Sequence, residues 1–122
     1  MKTAFAIAAL AVALAGGGHA HAVAHKSSVA VGVAEREWGI SSYRAHVKTG
    51  GVRFNVTNFG EDAHNLEMVG PEGYRSAVTP DIKARQHTTL TVTLRRRGIY
   101  RLICTKPGHV AKGMRATIQV GR

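Results

Sequence analysis

Cys104, His109 and Met114 lie on one short stretch, Cys104-Thr-Lys-Pro-Gly-His-Val-Ala-Lys-Gly-Met114, with four residues between each successive pair. Cys104 is the only cysteine in the chain. A thiolate, an imidazole and a thioether form a soft donor set of the kind that favours copper, zinc or iron–sulfur iron. Two histidines, one cysteine and a weak axial methionine describe a blue-copper electron-transfer site. The stretch supplies three of those four donors, so a second histidine must come from elsewhere. Within it, Pro107 fixes its own φ and stiffens the turn. Gly108 and Gly113 allow bends immediately before His109 and Met114.

The elements that must position these donors read as strands. Val29, Val31 and Val33 alternate with small residues over Ser28 to Ala34, and Val52, Phe54 and Val56 alternate with Arg53, Asn55 and Thr57. Trp38 and Ile40 follow the first strand in a less regular stretch, where Trp38 is expected to be a packing residue. Tyr43 to Val47 suggests a short strand, with a turn at Lys48 to Gly51. Asn58 to Ala63 reads as a loop. In His64-Asn-Leu-Glu-Met-Val69, His64, Leu66 and Met68 share one face of an expected strand and Glu67 takes the other. Pro71 to Arg85 is expected to be a long connection. Thr88 to Leu94 is the cleanest alternation, followed by a basic turn at Arg95-Arg-Arg-Gly98. Tyr100, Leu102 and Cys104 share a face, as do Met114, Ala116, Ile118 and Val120. His64, Cys104 and Met114 therefore each sit on an apolar face at a strand end. A sandwich of two sheets with a core about 10 Å thick can bring such ends together at one pole. His46 and His87 have no sulfur donor at ligand spacing and read as surface or strand-end residues. Met68 reads as core.

Cys-Thr-x-Pro-Gly-His resembles the ligand loop of azurin-type cupredoxins, and the longer Cys-x4-His-x4-Met spacing, with Gly before the Met, is similar to the rusticyanin type. The resemblance covers most of residues 28–121 in pattern, and His64-Asn65 with 104–114 in motif. It implies an all-β fold, a Greek-key β-sandwich or barrel of about seven to eight strands. It implies one type 1 copper per chain, held by His64, Cys104, His109 and Met114. It implies that Asn65 and Thr105 are tied to each other and fix ligand orientation, and that the electron passes through the exposed edge of His109. Pro107, Val110 and Ala111 would provide apolar area there, with Lys106 and Lys112 adding positive charge. Lys106 replaces the apolar residue usual at its position, which bears on docking rather than on the metal. An acidic redox protein is the expected partner.

The chain of 122 residues is short enough for one domain. Residues 1–22 read as a secretory signal peptide: Lys2, then an alanine-rich apolar run, then small residues for cleavage. Ala22 is the best cleavage point, with Ala20 and Ala24 as other ends, and an uncleaved anchor is the alternative. Residues 23–122 would form the domain, in the periplasm or another extracytoplasmic space. A lone thiol in an oxidising compartment calls for metal ligation or deep burial. Cleavage after Ala22 would leave Val23-Ala24-His25, whose amine, amides and imidazole suit square-planar Cu(II). The alternative is a simple polar terminus carrying His19, His21 and His25. The formal charge of +10 favours anionic partners, but export and the sparse aromatics argue against nucleic acid. The expected state is a monomer.

The residues thus point to an exported electron carrier. A copper-binding, delivery or resistance protein is the alternative, although a domain with only Met68 and Met114 is poor for a methionine-rich Cu(I) shuttle. An enzyme is disfavoured because four protein ligands leave no open position for substrate. A non-metal adhesion module would leave the Cys–His–Met spacing without a purpose.

Overall fold

Alternating apolar residues decide both where the strands form and which side they bury. The computed structural model describes residues 16–18 and 28–122. The expected signal segment and the Val23-Ala24-His25 motif lie outside the described residues, apart from Gly16 to Gly18.

One sheet contains β1 (Val29–Arg36), β2 (Gly39–Ser42), β4 (Gly50–Asn58) and β6 (His87–Leu94), in the order β2-β1-β4-β6. The other contains β3 (His46–Lys48), β5 (Glu67–Val69), β7 (Gly98–Ile103) and β8 (Arg115–Gly121), in the order β3-β8-β7-β5. The inner faces supply Val31, Val33, Val52, Phe54, Val56, Leu90, Val92 and Leu94 from the first sheet. Tyr100, Leu102, Ile118 and Val120 face them from the second. Met68 is fully buried in this core. Among the described residues the architecture is an eight-stranded β-sandwich of two separate sheets rather than a closed barrel.

Strand direction sets which residues share an end. β1 and β4 run parallel, pairing Glu35 with Asn58, while β6 runs against β4 and begins at His87 beside Thr57. β7 runs toward Cys104 and β8 runs away from Met114, pairing Ile103 with Arg115. The first sheet's Arg36-to-Asp62 end and the second sheet's Cys104-to-Met114 loop therefore form one pole. The Arg95–Arg97 turn, Lys48 and Arg122 lie at the other.

Three local expectations change. The strand expected over Tyr43 to Val47 shrinks to β3, and Gly50 and Gly51 join β4 instead of a turn. The segment 64–70 is a regular strand only at β5. Before and beside it the chain pairs with its own following connection: His64 bridges Ile82, Leu66 N–H donates to Thr79 Oγ1 at 2.9 Å, and Met68 N–H donates to Ser76 Oγ at 2.8 Å. That pairing takes the edge of the segment that β7 leaves free. Glu67 is buried too, with its carboxylate 2.6 Å from Arg75 Nε. Finally, the ligand loop contains one helical turn, α1 (His109–Lys112).

Candidate metal centre

Each donor reaches the pole from a different local structure. His64 arrives from the isolated bridge with Ile82, its N–H donating to Ile82 O at 3.1 Å and its carbonyl accepting from Ile82 N–H at 2.6 Å. Cys104 follows the last residue of β7 and is fully buried. His109 begins α1, preceded by Gly108 at φ +79°, a left-handed geometry suited to glycine. Met114 directly precedes β8 and is fully buried. Its backbone binds both neighbours: Met114 N–H donates to His109 O at 3.0 Å, and Cys104 N–H donates to Met114 O at 3.2 Å.

The three strongest donors converge. His64 Nδ1 lies 3.2 Å from His109 Nδ1, which lies 3.4 Å from Cys104 Sγ. One donor atom from each of these three side chains lies within 4.8 Å of the other two. His46 and His87, both exposed at strand starts, do not join this cluster.

Protonation suits a cation. His64 Nε2 is 2.7 Å from Glu37 Oε1, and an ionised carboxylate only accepts, so Nε2 carries a proton and Nδ1 is the nitrogen turned toward His109. The Glu37 carboxyl is held down to about 2, first by the Glu61 backbone N–H, against a smaller opposing push from desolvation. Burial lowers the His109 value, with the nearby His64 adding to the effect, which keeps this imidazole neutral as a donor. Burial pushes the Cys104 thiol up, partly offset by the Asn65 N–H, which lies 3.5 Å from Sγ. Two imidazole nitrogens and a sulfur thus face one another at this pole, a set of donors that suits a soft cation.

Neighbouring side chains hold this geometry. Asn65 and Thr105 are joined twice: Asn65 Nδ2 donates to Thr105 Oγ1 at 2.8 Å, and Thr105 N–H donates to Asn65 Oδ1 at 2.7 Å. The tie implied by the resemblance is present, and it locks the histidine segment to the cysteine segment.

The sequence profile of copper-binding proteins of the plastocyanin/azurin family matches residues 12–121. The chain belongs to this family.

Its members bind copper, and the donor set here is that of one copper per chain. Among solved structures, the fold is similar to reduced auracyanin from the photosynthetic bacterium Roseiflexus castenholzii. The TM-score is 0.67 with 22% identity, over 79% of this chain and 99% of that one. It is also similar to an azurin from the obligate methylotroph Methylomonas sp. strain J, with TM-score 0.63 and 16% identity over 79% and 100% of the two chains. Rusticyanin from Thiobacillus ferrooxidans gives TM-score 0.59 and 19% identity over 78% and 79%. A sequence search of curated proteins returns no significant match.

Two residues of this copper protein escaped the sequence reading. Trp38 is not a core residue: it is 37% exposed and sets its ring edge-on to His109, with centroids 4.9 Å apart. Glu37 beside it meets His64. Both lie in the β1–β2 turn, where no periodicity marks them, and these contacts are 24 or more residues away in sequence. The loop lysines also differ from expectation. Lys106 Nζ is paired with Asp81 at 2.6 Å, while Lys112 Nζ sits 4.0 Å from the Trp38 ring centroid in a cation–π contact. Of the two, only Lys112 keeps a charge without a carboxylate partner among the described residues.

Proposed function

We propose that the chain is an exported electron carrier with one type 1 copper that His64, His109, Cys104 and Met114 would hold. The approach of two imidazole nitrogens and one sulfur within 4.8 Å of each other carries this reading. Bound copper supplies a one-electron couple, Cu(II)/Cu(I).

The chain's residues do the rest. Cys104 would bind as the thiolate, its proton passing to solvent, since a coordinating thiol is deprotonated outright. His64 offers Nδ1 because Glu37 holds the proton on Nε2. The Asn65–Thr105 tie and the bridge of His64 to Ile82 resist movement of the ligands when charge changes. Trp38 stands against His109 and limits water access on that side. His109 is only half-buried, and its outer edge is the natural route for an electron to leave. Four protein donors leave no open position for a substrate, which favours a carrier over an enzyme.

The proposed partner is an acidic redox protein meeting the His109 edge, with Lys112 and Arg115 as the nearby cations. The carrier acts as a monomer in the periplasm or an equivalent compartment, with residues 1–22 as its leader. Among the described residues, no helix is long and apolar enough to cross a membrane.

Adding Cu(II) to purified metal-free protein tests the reading. One equivalent should give an intense blue band that is absent in Cys104→Ser, and repeated reduction and oxidation should release no copper. Copper lost on each reduction would favour metal delivery instead. Electron-transfer rate measured against ionic strength tests the partner: it should fall as salt rises. A flat response rejects electrostatic steering.

A further inference from the structure

Glu37 is fixed before it ever meets His64. Glu61 N–H donates to both carboxylate oxygens, at 3.1 and 2.9 Å, and Asp62 N–H donates to Oε1 at 2.8 Å. Two backbone donors thus set the position of the carboxylate independently of the imidazole. Its Oε1 then accepts from His64 Nε2 at 2.7 Å, a short, charge-assisted bond to a ring that is fully buried. Gly60 N–H donates to Asn58 Oδ1 at 2.8 Å, and a Cβ on Gly60 would run into the Glu37 carboxylate, so this corner has room for glycine alone. From the other side, a Cβ on Gly113 would lie 2.7 Å from the carbonyl oxygen of Trp38, so the ligand loop also packs directly on this turn.

A neutral acceptor, such as a backbone carbonyl, would orient His64 equally well. A carboxylate adds negative charge along the axis of the ring, which raises the basicity of Nδ1. The more basic imidazole, and the charge behind it, favour the higher oxidation state of a metal on that nitrogen. The side chain is 24% exposed, so solvent weakens the field, but the hydrogen bond ends on a wholly buried ring. Glu61 provides an internal contrast: its carboxylate lies at the same pole but meets Arg85 at 3.2 Å, with both side chains in solvent.

Resting on the ligand set proposed above, we infer that Glu37 is a positioning residue that sets the reduction potential, its carboxylate on His64 Nε2 stabilising the oxidised centre and holding the potential down. Glu37→Gln keeps an acceptor and removes the charge. Its potential should rise by at least the equivalent of a tenfold shift in the oxidised-to-reduced ratio, 59 mV for one electron. Its Cu(II) affinity should fall 10–100-fold. Glu61→Gln removes the same charge without touching His64 and should shift the potential far less. In the metal-free wild type, nitrogen NMR should find the His64 ring proton on Nε2 alone, with a mixture of tautomers in Glu37→Gln. If Glu37→Gln does not fold, Gly60→Ala reads the same contact, because it keeps the charge and displaces the carboxylate; its potential should also rise. Blue protein in every case, with the Glu37→Gln potential moving no more than that of Glu61→Gln, overturns the role of Glu37. An unmoved Gly60→Ala potential does the same where Glu37→Gln cannot be made. No blue band in the wild type rejects the ligand set, and this inference with it.

Discussion

At the pole that holds His64, Cys104 and His109, five carboxyl groups gather: Glu35, Glu37, Glu61, Asp62 and Asp81. At the far pole, Arg95, Arg96, Arg97, Lys48 and Arg122 share one carboxylate, Glu72, which pairs with Arg96. The first pole uses its charges structurally. Glu37 is bound by two backbone N–H groups and a buried ring, and Asp81 neutralises Lys106. Glu35 is completely buried, and neither of its oxygens has a hydrogen-bond partner among the described residues. The far pole leaves its charges in water, where an ion pair is worth little. The lesson is that net charge does not locate function. Among the described residues, most of the excess positive charge sits away from the metal end, where Glu35 is buried and Glu37 is tied to backbone and ring.

The largest expected effect that sharpens this contrast is at Glu35. Burial raises its pKa from 4.5 to about 8. The folded protein therefore retains a proton there that the unfolded chain releases. Stability from this group is intact below about pH 4.5 and drains away as pH rises through 8. Denaturant unfolding of metal-free protein should lose at most ~4 kcal/mol through Glu35 between pH 5 and pH 9. Subtracting the same curve for Glu35→Gln removes the histidine contribution, and no difference in slope would break the comparison.

Next comes Asn65→Ala, which severs both hydrogen bonds to Thr105. It should cost ~2 kcal/mol in urea unfolding and broaden the copper spectrum, because the histidine and cysteine segments lose their link. A change under ~0.5 kcal/mol, the size of a neutral surface substitution, would contradict the rigid-pole picture.

The smallest effect belongs to the far pole. Replacing Arg95, Arg96 and Arg97 together by Gln should move stability by no more than ~0.5 kcal/mol. The reduction potential should stay where it is. A clear potential shift from these distant residues would erase the distinction between the poles.

How much of this was legible in sequence follows the same division. Leu90, Val92 and Leu94 announced β6 because a half-buried strand must alternate, and they are buried as expected. The Cys104-to-His109 spacing marked the loop because donors on one short connection cannot drift far apart, and Cys104 Sγ lies 3.4 Å from His109 Nδ1. Asn65 and Thr105 were marked by resemblance and are joined twice. The burial of Glu67 was not legible because alternation assumes one wet face, whereas Glu67 is buried there with Arg75 on its carboxylate. Glu37 and Trp38 gave no signal. A turn has no period, and a carboxylate that contacts a histidine 27 residues on looks like any other surface acid.

X-ray absorption at the copper edge of the loaded protein addresses the centre most directly. The account predicts two imidazole nitrogens and one short thiolate sulfur around a single copper, with the sulfur scattering lost in Cys104→Ser. A first shell of nitrogen and oxygen alone in the wild-type protein would contradict it.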